Sequence, residues 1–437
     1  MSKPVSMPEP MHKALPVLEL LTARGFEAVF VGGCVRDTIM GLPIHDVDIA
    51  TSAKPDQVMD VFPSCIPTGL QHGTVTVRQN GKSYEVTTFR EESAYEKHRR
   101  PSEVVFISNL DGDLLRRDLT INAIAMNKKG QLYDPFGGLQ DIQSHAIRCV
   151  GDAEARFQED ALRMLRAVRF AAKFRYSFTY RTWRGLRLHR ELLVHIAMER
   201  VFSELDRMLA GKEPELAIHL LARSGLLRHT AKSLPAIERL LEMYSNALKI
   251  NNLRERICRL RQIAEPDTRW AALLLWSEAS MEQVKETLSA LRLASKRQTS
   301  IAAVIYINKE MTESALLLSD ENSKRLRSCW IESVIAHGKE AAHRWLDIMK
   351  LESRLPNLLL DKLSIWLEAM PACSVKQLAV NGNELTLELG LKPGEWLGKL
   401  MRKLLMCTAA EELPNERQAL LDQAKIWMSK DNDHDHE

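Results

Sequence analysis

The sequence predicts an α+β protein in which a head of mixed strands and helices is followed by a helical remainder. Over about the first 150 residues, β-prone runs such as Glu27–Val31 alternate with a helical pattern at Met11–Arg24. After Gly151, strand-like alternation nearly disappears and helical periodicity takes over. A chain of 437 residues is too long for one ordinary core, so about two to four domains are expected.

The elements of the head follow from local signals. Gly25 suits the end of the first helix, and Asp46–Ala50 is predicted to form a second strand after Glu27–Val31. Gly73–Arg78 and Ser83–Phe89 are β-branched runs joined through Asn80-Gly81, which is a strong hairpin signal. Strand character returns at Val104–Ile107 and Ile147–Val150.

The helical remainder is divided by glycines and prolines. Breaks are predicted near Gly211, Pro214, Gly225, Pro235, Pro266, Pro356 and Pro371.

Composition excludes several classes of protein. The 60 basic and 57 acidic residues leave a net charge of +3, so only local clusters can argue for a polyanionic partner. Seven cysteines without a C-x-x-C pair give neither a disulfide framework nor a zinc signature. Reduced cysteines are the simple interpretation, so we expect a cytoplasmic protein. No stretch approaches a membrane span or a signal peptide.

The first chemical motif is a glycine turn followed by two aspartates. Gly32 and Gly33 let the backbone approach phosphates, and Arg36 can meet a phosphate oxygen. If Asp46 and Asp48 lie on one strand, their side chains share a face. Two carboxylates beside a phosphate cradle suit a divalent metal and a nucleoside triphosphate, so the motif predicts nucleotidyl transfer.

A third carboxylate, Glu85, lies in the second strand of the predicted hairpin. An acid in such a run is commonly a solvent-facing residue. Its functional alternative is a place beside the aspartate pair, as a metal ligand or as a base near the attacking hydroxyl. Both interpretations are open at this point.

The second motif is the segment Leu115–Ala125. Asp118 could cap a helix that begins at Leu119, which would be a purely structural role. Alternatively, Arg117 contacts the triphosphate while Asp118 and Asn122 lie near the ribose. The two roles are compatible.

The third motif is Glu159–Arg169, interpreted as one helix. Each step of three residues turns by about −60°, so Asp160 and Arg163 would lie side by side, with Arg169 nearly opposite Asp160. Ordinary ion pairs on a solvated face would have this spacing. An acceptor beside a donor could also read the edge of cytosine or adenine, while Arg166 and Arg169 reach a phosphate or a neighbouring helix.

The fourth motif is the charged segment Phe89–Ser102. It lacks apolar periodicity, so a mobile loop is predicted. Its place between Glu85 and Arg117 makes an active-site lid an alternative to a plain surface loop.

Taken together, these motifs resemble bacterial tRNA nucleotidyltransferases, the class II CCA-adding enzymes, whose head is shared with bacterial poly(A) polymerases. The resemblance spans most of the chain. It is carried by Gly32–Asp48, Tyr84–Arg90, Arg99–Pro101, Arg116–Ala125, Asp134–Gly138, Glu159–Phe170, Arg200–Leu209, Leu378–Gly382, Leu391–Gly398 and Leu413–Glu416.

The resemblance implies addition of C, C and A to the 3′ end of tRNA from CTP and ATP. It implies a seahorse-shaped fold, with a five-stranded head at 1–150, a neck at 151–215, a body at 216–295 and a tail at 296–437 that binds the tRNA elbow. A homodimer is compatible with it. It implies Mg²⁺ on Asp46 and Asp48, beside Glu85. The nucleotide-binding residues that it implies are Gly33, Arg36, Arg117, Glu159, Asp160, Arg163, Arg166 and Arg169, and the second motif adds Asp118 and Asn122.

One position departs from the family pattern. Lys97 stands where the family commonly has an aspartate before Arg99-Arg100-Pro101. This loop is linked in the family to the switch from C to A addition. Complete CCA addition is our prediction; A-only, CC-only and poly(A) addition are alternatives, and a non-catalytic tRNA-binding protein is a more distant one.

Overall fold

A computed structural model describes residues 4–92, 95–96, 100–101, 104–246, 250–315, 323–352 and 355–434. The chain forms two compact units. The first runs to Leu234 and includes Ala290–Arg292, and the second comprises the rest from Pro235 onward.

The strands lie in the first unit, and seven of them form one mixed sheet. They are β1 (Ala28–Val31), β2 (Asp48–Thr51), β3 (Cys65–Gly69), β4 (Thr74–Gln79), β5 (Lys82–Thr88), β6 (Arg90–Glu92), β7 (Tyr95–Glu96), β8 (Arg100–Pro101), β9 (Val104–Phe106), β10 (Ala125–Met126), β11 (Leu132–Tyr133), β12 (Ala146–Ile147) and β13 (Ser177–Phe178). The order in the large sheet is β11-β10-β1-β2-β5-β4-β3. Within it, β2 and β5 are parallel and every other pair is antiparallel.

The α+β class is as predicted, but the sheet has seven strands where five were expected. Some of these strands are too short to be recognised from hydrophobic alternation in the sequence. β10 and β11 have two residues each, and such strands carry no alternation. β3 is mostly exposed and contains Pro67, so it lacks the apolar pattern of a core strand.

The predicted hairpin is confirmed. β4 and β5 pair from Thr74 opposite Thr87 to Gln79 opposite Lys82, which leaves a two-residue loop. Both loop residues have positive φ, 51° for Asn80 and 74° for Gly81, as the favoured tight hairpin turn requires.

The charged segment after β5 is more regular than the loop that was predicted. β6 pairs with β9, and β7 pairs with β8, both antiparallel. Such a ribbon can be polar on both faces, because its ladder hydrogen bonds need no apolar alternation. Lys97 and Arg99 lie outside the described residues.

The helices of the first unit cover the sheet and continue beyond it. They are α1 (Glu9–Ala23), α2 (Gly33–Ile39), α3 (Pro55–Val61), α4 (Leu110–Leu115), α5 (Gly138–Gln143), α6 (Ala153–Glu159), α7 (Leu162–Phe174), α8 (Tyr180–Leu188), α9 (Met198–Ala210) and α10 (Pro214–Ser224). One core cluster lies between the sheet and α4, where Val29, Phe89 and Leu114 pack together. α7 packs against α9 and α10, and α6 packs against α8.

Three of the eleven described helices that follow Leu234 begin at predicted breaks: α11 at Pro235, α13 at Pro266 and α18 directly after Pro356. The starts of the other eight were not predicted. The eleven helices are α11 (Pro235–Ser245), α12 (Ile250–Arg259), α13 (Pro266–Trp276), α14 (Met281–Ala290), α15 (Ser295–Ala315), α16 (Ser323–His337), α17 (Lys339–Glu352), α18 (Asn357–Ala369), α19 (Gly382–Leu389), α20 (Glu395–Ala409) and α21 (Arg417–His434). Buried tryptophans fill the core of this unit. Trp330 and Trp345 pack at 5.6 Å, and each indole N–H is satisfied, by the carbonyl of Leu363 and by Asn308 Oδ1 respectively. Over the described ranges, every helix is too short or too polar to cross a membrane.

Candidate active site

The glycine turn connects β1 to α2, and at this turn two charged side chains lie close to the backbone. Gly32 has φ 70° and ψ −130°, a conformation that other residues rarely adopt. A Cβ at Gly32 would lie 3.0 Å from Nη1 of Arg117 and 3.6 Å from Oδ2 of Asp48. Glycine is therefore needed here both for the turn and for the approach of these two charged groups.

The strand register brings Asp48 beside Glu85. Asp48 is the first residue of β2, opposite Val31 on β1, and it pairs in parallel register with Glu85 on β5. The prediction that Asp46 lies on the same strand was wrong: Asp46 is exposed and precedes β2. The reason is that β1 ends at Val31 and turns away at Gly32, so Asp46 has no ladder partner.

Electrostatics couple the three carboxylates. Burial raises the pKa of Asp48, and the nearby Glu85 and Asp46 raise it further, while Arg117 and Arg36 act in the opposite direction. Carboxylates that repel one another form an oxygen-rich site, and a bound divalent cation would relieve the repulsion. Within the described ranges, no three Asp, Glu, His or Cys side chains are arranged as a complete metal cage. Asp46 and Asp48 offer carboxylate oxygens, the donor type that a hard divalent cation prefers.

Two arginines border the glycine turn. Nη2 of Arg117 donates to Oδ2 of the buried Asp113 at 3.1 Å. Its Nε is buried and has no hydrogen-bond partner in the described part of the chain, so one donor of this arginine remains unused. Arg36 is 4% exposed and donates to Asp37 Oδ1 at 2.8 Å and to Asn122 Oδ1.

The guanidinium of Arg36 also makes cation–π contacts with two aromatic rings of α7. Its guanidinium carbon lies 5.2 Å from the ring centre of Phe170 and 4.9 Å from that of Phe174. The two rings are stacked on each other at 5.8 Å. The helix α7, which also carries Arg163 and Arg166, therefore helps to position Arg36 through its aromatic rings.

Asp118 forms a buried ion pair. Its Oδ1 accepts the N–H of Leu119 at 2.8 Å and Nδ2 of Asn122 at 3.1 Å, and its Oδ2 accepts Nε of Arg166 at 2.7 Å. The structural alternative, in which Asp118 caps a helix that begins at Leu119, is not found: the chain makes a 3₁₀ turn at Thr120–Asn122, and its N-cap residue is Leu119. Burial alone would raise the pKa of Asp118, but Arg166 and Asn122 outweigh it and hold that pKa well below its usual range.

The prediction of one helix over Glu159–Arg169 was also wrong. α6 ends at Glu159, Asp160 is extended with φ −134° and ψ 105°, and α7 starts at Leu162. The cause is the side chain of Asp160, whose Oδ1 accepts the N–H of Leu162 at 3.0 Å in competition with the helix. Asp160 therefore lies at a helix junction and not one turn below Arg163 on a shared face.

Neighbouring elements hold the polar side chains at this junction. Arg163 is 7% exposed and donates to Glu159 Oε2 at 2.7 Å and to the carbonyl of Arg116 at 2.9 Å. Oδ2 of Asp160 accepts Nη2 of Arg200 at 2.9 Å. Nε of Arg169 donates to Glu204 Oε2 at 2.5 Å.

Two residues of this network, Arg200 and Glu204, are not among the predicted site residues. A signal for Glu204 is present in the sequence. It lies on α9 at helical spacing from Val201, Leu205 and Met208, so it belongs to the buried stripe, and it is 3% exposed. An acid on such a stripe needs a cationic partner, which here is Arg169.

A glycine turn, carboxylates in register on adjacent strands and bordering arginines define a nucleotidyltransferase. Comparisons with known proteins agree. Residues 28–148 match the poly(A) polymerase head domain, residues 175–238 the probable RNA and SrmB-binding site of polymerase A, and residues 261–424 the putative tRNA nucleotidyltransferase domain 2.

Relatives extend the match to nearly the whole chain. The CCA-adding enzyme of Ligilactobacillus salivarius (strain UCC118) is 35% identical over 429 residues, covering 97% of this chain and 98% of the relative. That of Geobacillus thermodenitrificans (strain NG80-2) is 36% identical over 420 residues, covering 95% and 96%. The crystal structure of the Bacillus stearothermophilus CCA-adding enzyme in complex with CTP aligns with a TM-score of 0.80 at 31% identity, covering 98% of this chain and all of that one.

The chain belongs to the CCA-adding enzyme family of tRNA nucleotidyltransferases. The predicted family, fold class and enzyme class are confirmed. Nucleotidyltransferases of this family typically need a divalent metal ion.

Proposed function

We propose that this protein adds C, C and A to the 3′ end of tRNA, without a nucleic acid template, from CTP and ATP. The observation that carries the proposal is the register of Asp48 beside Glu85 at a glycine turn that also receives Arg117. Relatives of nearly the same length named CCA-adding enzymes support the choice of product.

In the proposed reaction, the tRNA 3′-hydroxyl attacks the α-phosphate of the nucleotide and pyrophosphate leaves. Asp46 and Asp48 would hold Mg²⁺, which would supply Lewis-acid activation of the hydroxyl and neutralise charge on the phosphates. Glu85, in register with Asp48, acts as a further ligand or as a base near the hydroxyl. Gly33, Arg36 and Arg117 hold the triphosphate.

The incoming base is selected at the junction between α6 and α7. Asp160 accepts the amino group of cytosine or adenine, and Arg163 donates to a ring acceptor. Uracil and guanine present an oxygen to the carboxylate and are rejected. Glu159 orients Arg163 through the 2.7 Å ion pair.

The remaining polar groups border the nucleotide. Asp118 and Asn122 lie beside the ribose and keep Arg166 and Arg36 in place through their hydrogen bonds. Arg166 and Arg169 complete the pocket.

The tRNA is bound through its acceptor arm and elbow. We assign the head to 1–150, the neck that selects nucleotides to 151–215, the body to 216–295 and the tail to 296–437. Binding by shape and phosphate contacts suits a substrate whose sequence varies. All seven cysteines are unpaired, which fits a reducing compartment, and we place the protein in the cytoplasm.

The test compares Asp48→Asn with Asp56→Asn, an exposed aspartate of α3. Incorporation of labelled CTP into tRNA that lacks its 3′ end should fall about 1,000-fold for Asp48→Asn, because loss of the carboxylate removes several kcal/mol of transition-state stabilisation. Asp56→Asn should be unchanged, as should tRNA affinity for both. Wild-type activity in Asp48→Asn would contradict the assignment.

A further inference from the structure

Asp113 is a fully buried carboxylate on α4 that has no part in the reaction proposed above. Its exposed fraction is 0%, and a buried charge is tolerated only where other groups compensate it. Two arginines do so, because Arg116 follows three residues and Arg117 four residues after Asp113. Burial raises the pKa of Asp113, but the two arginines outweigh burial and lower that pKa. The carboxylate is therefore ionised near neutral pH.

The two oxygens of Asp113 have different partners. Oδ1 accepts three donors, which are Nε of Arg116 at 2.9 Å, Nη2 of Arg116 at 2.7 Å and the backbone N–H of Arg90 at 3.4 Å. Oδ2 accepts Nη2 of Arg117 at 3.1 Å. Oδ1 therefore fixes the carboxylate within the fold, while Oδ2 is directed at the arginine that borders the glycine turn.

Arg117 depends on Asp113 for its orientation. Among the described residues, Asp113 is the only carboxylate within ion-pair distance of Arg117. The guanidinium also donates through Nη1 to the carbonyl of Asn122, but at 3.4 Å this bond is long. Arginine has a flexible stem, so the charged contact to Asp113 is the main restraint on where its head group lies.

Asp48 is the competing partner for the same guanidinium. Nη1 of Arg117 and Oδ2 of Asp48 both lie within 4 Å of one point, the Cβ position that Gly32 leaves empty. Opposite charges at such a separation attract each other. By holding Nη2, Asp113 keeps Arg117 from closing onto Asp48.

We propose that Asp113 is a positioning residue that holds Arg117 in place to bind the triphosphate of the incoming nucleotide. The proposal rests on the proposed function, because it takes Arg117 as a triphosphate-binding residue. The several N–H groups of one guanidinium allow both contacts: Nη2 binds Asp113, and Nη1, beside Gly32, remains for a phosphate oxygen.

The variant Asp113→Asn separates this role from a role in folding. Asparagine has the shape of aspartate, but only one of its two terminal atoms accepts hydrogen bonds. Because three donors meet at Oδ1, the amide oxygen takes that place and the contacts to Arg116 and Arg90 are kept. The amide NH₂ then faces Nη2 of Arg117, and two donors that face each other repel.

The test measures the binding of inorganic tripolyphosphate, which has the phosphates of the nucleotide but no base. Isothermal titration calorimetry with Mg²⁺ present gives its dissociation constant for the wild type, Asp113→Asn, Arg117→Ala and the double variant. The matched control is Asp267→Asn, which changes a half-buried carboxylate of the second unit that accepts Nε of Arg297 at 2.5 Å. The kcat and KM for CTP and UTP and the melting temperature are recorded for each variant.

We expect tripolyphosphate to bind about tenfold more weakly to Asp113→Asn, with a matching rise in KM for CTP. The preference for CTP over UTP should stay, because Arg116, whose carbonyl accepts Nη2 of Arg163, keeps its contacts. The double variant should bind no more weakly than Arg117→Ala, since Asp113 acts through Arg117. The control should match the wild type in both constants.

A second variant, Asp113→Glu, retains the charge and both acceptor oxygens but displaces them by one methylene. It should give a smaller loss of tripolyphosphate affinity than Asp113→Asn, and it replaces that variant if the asparagine chain does not fold. Recovery with the restored charge is not expected of a side chain that only fills space.

Wild-type affinity for tripolyphosphate in both Asp113 variants would overturn the proposal. So would losses that multiply in the double variant, because Asp113 would then act independently of Arg117. A reduced preference for CTP over UTP with unchanged tripolyphosphate affinity would also overturn it. Failure of the proposed function would be recognised separately, since the wild type would bind tripolyphosphate but would not extend tRNA with CTP and ATP.

Discussion

Arg200 on α9 donates through Nη2 to Oδ2 of Asp160 at 2.9 Å. The other oxygen of Asp160 accepts the N–H of Leu162 at 3.0 Å, so the carboxylate is held from two sides. Each oxygen retains an acceptor position for a further donor. Arg200 is therefore a positioning residue for the group that we propose to read the incoming base.

Replacing Arg200 should weaken base selection more than catalysis. In Arg200→Ala, Asp160 loses one charged hydrogen bond, worth about 1.5 to 3 kcal/mol, and can rotate. The preference for CTP over UTP in kcat/KM should fall about tenfold, with tRNA affinity unchanged. Arg200→Lys should restore part of the preference, and Glu199→Ala, at an exposed position of α9, should have no effect. An unchanged CTP preference in Arg200→Ala would refute the positioning role.

The aromatic support of Arg36 predicts a defect of a different kind. Phe174→Leu removes a ring 4.9 Å from the Arg36 guanidinium, a contact worth about 0.5 to 2 kcal/mol. Because Arg36 is proposed to hold the triphosphate, KM should rise several-fold for CTP and ATP alike, and the preference over UTP should stay. Phe178→Leu is the control, since Phe178 packs on Trp183. A change limited to one nucleotide would contradict this account.

The ion pair between Asp118 and Arg166 predicts a pH-dependent stability. The pKa of Asp118 is lower in the folded chain than its usual value, so the stabilisation is present above about pH 4 and is lost as the pH falls toward the folded pKa. Asp118→Asn should lower the free energy of unfolding by about 3 kcal/mol near pH 7, and by less near pH 3. Urea unfolding at the two pH values measures this difference, with the exposed Asp60→Asn as control. An equal deficit at both pH values would contradict the pKa assignment.

The start of α19 offers a test confined to the second unit. Asn381 accepts the N–H groups of Asn383 and Glu384 at 3.0 and 3.1 Å, and Glu384 Oε2 accepts the N–H of Asn381 at 3.0 Å. Asn381→Ala should therefore cost about 1 kcal/mol, while Asn383→Ala, inside the helix and exposed, should cost little. Thermal unfolding of the full chain compares them. Equal melting temperatures for the two variants would show that the Asn381 cap does not stabilise the folded chain.

Local features of this protein could be predicted from its sequence because their causes are local. The helix before Gly25, the Asn80-Gly81 hairpin and the helix starts at Pro214 and Pro266 each depend on neighbouring residues. The charged groups of the site were also identifiable, since acids and arginines near glycines imply phosphate and metal chemistry.

The arrangement of those groups depends on distant partners. Asp46 precedes the strand because β1 ends at Val31 and offers it no partner. Asp160 ends the helix through its own bond to Leu162, but its second oxygen is held by Arg200, 40 positions away. Spacing along one segment carries no information about such contacts. For the same reason, the pairing of Asp118 with Arg166, 48 residues away, was beyond a prediction from the sequence.

The central claim is tested most directly by sequencing the 3′ ends of product. Purified protein is given tRNA that lacks its last three nucleotides, with Mg²⁺ and CTP alone, ATP alone, or both. CTP alone should give ends in CC, ATP alone should leave the end unchanged, and both together should give CCA and stop. A long run of A, an end that stays at CC with both nucleotides, addition of A alone, or no extension at all would each contradict complete CCA addition.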